Sequence, residues 1–168
     1  LDAGSWHSPA YTGEPIPTLE NLARYCIANE RLLNIEIKPT PGAEEATGRA
    51  VAGLAARLWA HAATPPLLSS FQPASLRGAQ QVAPELPRAL LLETLWGGWL
   101  EAARTLGCRA VTADYPQWNT DTVAQAKAAG LRVLSYTVND EATLRHLTAL
   151  GTDGVFTDRV DRFGPAAG

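Results

Sequence analysis

A strand-and-helix rhythm of about 22 residues is the feature that most restricts what this chain can fold into. Short apolar runs begin near Leu67 (LLSSF), Arg88 (RALLLE), Ala110 (AVTAD), Arg132 (RVLSYTV) and Gly154 (GVFTD), at intervals of 21, 22, 22 and 22 residues. Between them lie stretches with helical spacing, such as Val123, Ala126 and Ala129 before Gly130, and Leu144, Leu147 and Leu150 before Gly151. Glycine just past the last periodic residue is an expected helix stop. Strand-helix units repeated in this way build a parallel sheet. Upstream, Leu33, Ile35 and Ile37 alternate with Asn34, Glu36 and Lys38, which gives a sixth strand. Leu19, Leu22, Ala23, Cys26 and Ile27 form an apolar helical stripe with Thr18 as its N-cap, and a further helix is expected from about Glu44 to His61. Residues 1–17 hold three prolines and two glycines and read as an irregular loop with Trp6 and Tyr11 as aromatic anchors.

Two parallel architectures compete, an open doubly wound sheet and a closed (β/α)8 barrel. A doubly wound sheet is covered by helices on both faces and favours continuous apolar strands. Here Asn34, Glu36 and Lys38 share one strand face, and Ser135, Thr137 and Asn139 are expected to share another. A barrel can aim such side chains at its interior, near the C-terminal mouth where active sites lie. The reading is therefore an α/β (β/α)8 barrel with six of its eight strands in this chain. The two others are expected upstream.

Length and composition bound the rest. With 168 residues, 46% hydrophobic and 18% charged, the chain suits one domain spanning 1–168 with a sizeable core. A net charge of -3 argues against nucleic acid as a partner, because phosphate backbones demand clustered Lys and Arg. No apolar run approaches the roughly 18 residues of a membrane span. Two cysteines, Cys26 and Cys108, without metal-ligand spacing suit a reducing compartment and a cytoplasmic location. The sequence has no methionine, so it is expected to begin inside a longer protein.

Glu36 and Lys38 are the pair most able to do chemistry. Two apart on one strand, they point into the same space, where an ionised group needs a partner or a metal. One reading is a structural ion pair. The other is a carboxylate ligand for a hard divalent cation beside a lysine that neutralises a phosphate.

The ordered set NIEIKP (34–39), LLSSF (67–71), YTVN (136–139) and DGVFTD (153–158) resembles the glycerophosphodiester phosphodiesterase family, most closely its bacterial cytosolic members. The opening DAGSWHSP and the following GEPIPTLE are similar to that family's insertion and the helix after it. The resemblance covers essentially the whole chain. It implies a barrel enzyme that cleaves deacylated phospholipids to sn-glycerol 3-phosphate and an alcohol, with a divalent ion, Mg²⁺ or Ca²⁺, as cofactor. By the same resemblance, Glu36 is a metal ligand and Lys38 contacts the phosphoryl oxygens. Phe71 lines the pocket wall, and Tyr136, where the family often has Trp, sits at the mouth with Asn139. The only partner implied is a small-molecule glycerophosphodiester. The family's His-Arg, Glu-x-Asp and His-Asp pairs are not in this chain, and Val160 stands where a proline is usual.

The remaining candidates read as follows. His61 and His146 belong to outer helices, out of reach of a transferring proton, whereas His7 sits on a loop that could fold over the pocket. Cys26 and Cys108 read as small packing residues. Trp96 and Trp99 flank Gly97-Gly98 and are either core residues or rim residues able to stack on a cationic head group. Asp114 and Asp158 end two strands, either beside the metal or as N-caps. Two functions stand: a metal-dependent phosphodiesterase whose acid–base histidines lie upstream, and a non-catalytic remnant that binds phosphodiesters or a partner. On the first, these 168 residues alone are expected to be inactive and to aggregate through two open strand edges.

Overall fold

A computed structural model describes residues 1–164. Among them, six strands alternate with helices: β1 (Asn34–Glu36), β2 (Leu67–Ser70), β3 (Arg88–Leu92), β4 (Ala110–Asp114), β5 (Arg132–Tyr136) and β6 (Gly154–Val155). Helix α1 (Leu19–Ala28) precedes β1, α2 (Glu44–Leu58) and α3 (Pro73–Val82) flank β2, and α4 (Trp99–Thr105), α5 (Thr120–Ala128) and α6 (Glu141–Leu150) follow β3, β4 and β5. No helix here is long and apolar enough to cross a membrane.

All pairings are parallel, and the strand order is β1-β2-β3-β4-β5-β6, identical to the chain order. Parallel crossovers are almost always right-handed, so a sheet that never reverses direction carries its helices on one face. A doubly wound sheet requires a reversal. The other face curls inward: one cavity of about 250 Å³ is lined by Asn34, Leu91, Thr112 and Tyr136 of β1, β3, β4 and β5, together with Phe71 just past β2 and Phe156 just past β6. This is the barrel wall expected from the strand rhythm, with six strands in register.

Local chemistry explains the element ends. The Thr18 hydroxyl accepts the Asn21 N–H, Asp140 accepts the Thr143 N–H, and Asn119 forms a reciprocal capping box with Thr122. Gly151 ends α6 in left-handed conformation. Helix α2 stops at Leu58, short of His61, where the buried Trp59 turns the chain toward Pro65-Pro66. Helices α2 and α3 cross closely because Gly48 meets the Ser75 carbonyl and Gly78 meets that of Glu45; a Cβ at either position would collide with backbone.

The core has two parts. Ala23, Ala52, Ala55, Trp59, Leu68 and Ala79 pack α1, α2 and α3 on β1 and β2, while Leu90, Val111, Val133, Val123 and Leu147 pack the later helices on β3, β4 and β5. Two readings are decided here. Of the core and rim alternatives, Trp99 takes the core: it is 7% exposed and stacks edge-on against Trp118 at 6.2 Å. Trp6 and Tyr11 do not anchor the first loop in the core, since Trp6 is 81% exposed. The loop is held instead by the Asp2 carboxylate, which accepts the N–H groups of Gly4, Ser5 and Gly13. Those backbone bonds, Ser5 first, bring its pKa to about 2.

Arg88, at the start of β3, is buried, and its guanidinium donates to the carbonyls of Leu106, Leu86, Pro84, Ala83 and Gly107 at 2.8–3.3 Å. It ties the loop before β3 to the loop before β4. The sequence reading passed over it, although an arginine opening an otherwise apolar run was the available signal. Arg88→Met leaves these carbonyls without their donor and should cost about 3 kcal/mol. A fall in Tm of roughly 6–12 °C is expected from thermal unfolding followed by circular dichroism. An unchanged Tm would remove Arg88 from the determinants of the fold.

Candidate active site

Alternation along each strand decides which side chains enter the cavity. Asn34, Glu36 and Lys38 all line it, as their spacing predicts. Glu36 pairs in register with Ser69, Leu91 with Thr112, Thr112 with Leu134, and Asp114 with Tyr136, which carries the inward face across the sheet. Ser135 therefore does not share the inward face with Thr137 and Asn139. It is fully buried on the helical side and its hydroxyl donates to the Ala113 carbonyl. Leu134 and Tyr136 hold the inward parity of β5, and Thr137 joins the lining just beyond the strand.

At the carboxyl end of the strands the Lys38 ammonium lies 3.5 Å from a Glu36 carboxylate oxygen, with the two side chains 79% and 33% exposed. Such an exposed pair is weak, on the order of 0.2–1 kcal/mol, so Lys38 is free to exchange Glu36 for another anion. A second cleft of about 380 Å³ continues outward between β1 and β2, lined by Pro39, Pro41, Glu44 and Gln72. Glu36, Lys38 and Phe71 line both clefts and form the ridge between them. The Phe71 and Tyr136 rings meet edge to face at 5.9 Å, and the Tyr136 hydroxyl donates to the Leu92 carbonyl at 2.9 Å. Burial pushes the Tyr136 hydroxyl pKa up, and the Asp114, Glu93 and Glu36 carboxylates push it further in the same direction. Tyr136 therefore stays protonated, as a fixed polar wall.

Asn139 is placed differently from Phe71 and Tyr136. It lines neither cleft, and its amide is taken up internally: Nδ2 donates to Asp158, while Oδ1 accepts from the Thr157 hydroxyl and the Asp158 N–H. It clasps the end of β5 to the turn after β6. Asp158 is consequently part of this clasp. Asp114 makes no side-chain cap for the short 3₁₀ turn that follows it.

None of the described histidines lines either cleft. His7 sits between Trp6 and Tyr11 on the first loop, with ring centroids 5.7 and 5.3 Å away. His61 borders a groove at the far end of the sheet beside Trp59 and Cys26, and His146 is exposed on α6. Cys108 is a buried thiol whose pKa is pushed up to about 12 by burial, which makes it a packing residue. For a metal, Glu36 supplies one hard oxygen donor, but Mg²⁺ or Ca²⁺ takes six or more ligands. Among the described residues no group of three or more His, Cys, Asp or Glu is placed to hold one. The described donor set does not make a metal centre by itself.

A one-way parallel barrel wall with a carboxylate and a lysine on adjacent inward positions at its mouth defines a (β/α)-barrel scaffold. The chain belongs to the glycerophosphoryl diester phosphodiesterase family, whose model matches residues 1–162. A glycerophosphodiester phosphodiesterase of Bacillus subtilis is 32% identical, with the match covering 97% of this chain and 60% of the relative. One from Caldanaerobacter subterraneus subsp. tengcongensis is 29% identical over 94% of this chain and 64% of its own length. Among solved structures, a phosphodiesterase of Oleispira antarctica in complex with the product sn-glycerol-3-phosphate superposes with a TM-score of 0.80 and 33% identity, covering 94% of this chain and 64% of that one. The chain spans 60–66% of the length of the curated relatives it matches.

Proposed function

We propose that the full-length protein hydrolyses glycerophosphodiesters to sn-glycerol 3-phosphate and an alcohol, using a divalent ion to which Glu36 contributes a ligand. The observation that carries this reading is the Glu36–Lys38 pair: inward, at the mouth, on a rigid strand end and loosely held. Membership of the family and the product bound to the Oleispira antarctica relative support the same reaction class.

In this reading a divalent ion, when bound, supplies positive charge at a phosphoryl oxygen. Lys38 does the part that this chain can do alone. Its ammonium leaves Glu36 and donates to a non-bridging phosphoryl oxygen, which gathers charge as the P–O bond to the alcohol breaks. Phe71 and Tyr136 form an aromatic wall beside Lys38 that fixes the substrate's orientation. Asn139 positions the mouth by holding the end of β5 to the Thr157-Asp158 turn. Both cysteines are free thiols, which suits a reducing, cytoplasmic setting. A second reading, a phosphodiester-binding protein without turnover, is favoured by one observation: no described histidine lines the clefts to move a proton.

Two measurements on the full-length protein test the first reading. Lys38→Ala should lower kcat for release of sn-glycerol 3-phosphate by about 10²-fold or more, with Tm nearly unchanged. Near wild-type turnover with a lowered Tm would make the pair structural, and a wild-type protein that binds glycerophosphodiesters without cleaving them would establish the second reading. Glu36→Gln removes a charge while nearly preserving shape, so calorimetric titration should show weaker binding of Mg²⁺ or Ca²⁺. Equal affinity in both proteins would take Glu36 out of the ligand set.

A further inference from the structure

The LLSSF run places two serines side by side at the end of β2, next to Phe71. Ser70 is fully buried, and its hydroxyl is engaged in both directions. It donates to the Ile37 carbonyl at 2.7 Å and accepts the Gln72 N–H at 3.1 Å. Ile37 is the buried residue between Glu36 and Lys38. Its N–H donates to the Ser69 carbonyl at 2.7 Å, so both of its backbone polar groups are held by β2. Strand β1 ends at Glu36, and Pro39 has no N–H with which to extend the ladder. The Ser70 hydroxyl therefore carries the β1–β2 connection one bond further, to the carbonyl that links Ile37 to Lys38. On its other side the bond from Gln72 closes a tight turn around Phe71. One hydroxyl thus joins the roots of Lys38 and Phe71, two of the three residues on the ridge between the clefts.

We infer that Ser70 is a positioning residue: through the Ile37–Lys38 peptide and the Gln72 N–H it fixes the root of Lys38 relative to Phe71, and so where the ammonium meets a phosphoryl oxygen beside the aromatic wall. This rests on the phosphodiesterase reading and adds to it a residue that touches no reacting atom. A peptide group is planar, so holding its carbonyl also holds the Lys38 nitrogen and Cα. Small displacements matter at this point, because a shift of about 1 Å at a reacting group can cost 10²-fold in rate. Ser75 provides the contrast. It too is fully buried and its hydroxyl donates to a backbone carbonyl, that of Glu44 at 3.1 Å, but this bond joins α3 to the start of α2 and reaches none of the ridge residues.

The test is a double-mutant cycle in the full-length protein, run below the Tm of every variant. Ser70→Ala should lower kcat for release of sn-glycerol 3-phosphate about tenfold and raise KM by no more than about threefold. With Lys38→Ala already in place, the same substitution should change kcat by no more than about twofold, because the group it positions is gone. Tm falls in both backgrounds, since the Ile37 carbonyl loses its donor, and so does not decide. Ser75→Ala is the structural control: its Tm should fall while kcat stays within about twofold of wild type. Ser70→Cys keeps the volume and weakens both bonds, so it runs the same cycle, with a loss of about threefold, if Ser70→Ala folds poorly. Equal losses in both Lys38 backgrounds, no loss in either, or a matching loss in Ser75→Ala overturns the inference. Calorimetric Kd values for sn-glycerol 3-phosphate repeat the cycle without turnover: Ser70→Ala should weaken binding about threefold only where Lys38 is present. A wild-type protein that does not cleave would defeat the phosphodiesterase reading, and the binding cycle would still decide the role of Ser70.

Discussion

The right-handed βα crossover, repeated without reversal, is the constraint on which everything else in this structure depends. It keeps the helices on one face and leaves the other to curl, so that inward side chains of β1, β3, β4 and β5 meet Phe71 and Phe156, just past β2 and β6, around one cavity. The helical face is then free to be wholly apolar, as Leu90, Val111 and Val133 are. The inward face can carry Asn34, Glu36, Lys38, Thr112 and Tyr136 because it borders a cleft rather than a second helical layer. Arg88 serves the same constraint from below: its bonds to five carbonyls hold the loops that feed β3 and β4.

Much of this was legible in the sequence, for identifiable reasons. Parallel strands covered by helices read as apolar runs, and the five starting near Leu67, Arg88, Ala110, Arg132 and Gly154 are all strands. Glu36 and Lys38 were legible because a period of two is enforced by the backbone, whatever the fold. What escaped depends on partners distant in sequence. The parity of β5 follows from its register with Asp114 and Thr112, so Ser135 was assigned to the wrong face. Trp99 stood open between core and rim, and Trp118, nineteen positions on, decides for the core as its packing partner. Asn139 matches the family pattern, yet its amide is consumed by Thr157 and Asp158. A motif identifies a residue type at a place; only the neighbours decide whether its polar atoms are free.

The site itself is a balance between rigidity and availability. Among the described residues, Glu36 ends β1, which pairs with β2 on one side, while Thr112 and Tyr136 sit on β4 and β5, which are paired on both. Lys38 and Glu36 are nonetheless exposed enough that water competes with their mutual attraction. A deeply buried pair would be more tightly held and less able to trade partners. The placement of Lys38 two residues past β1, just before Pro39, anchors the backbone and leaves the ammonium exposed. That combination lets the ammonium exchange one anion for another while its backbone stays in place.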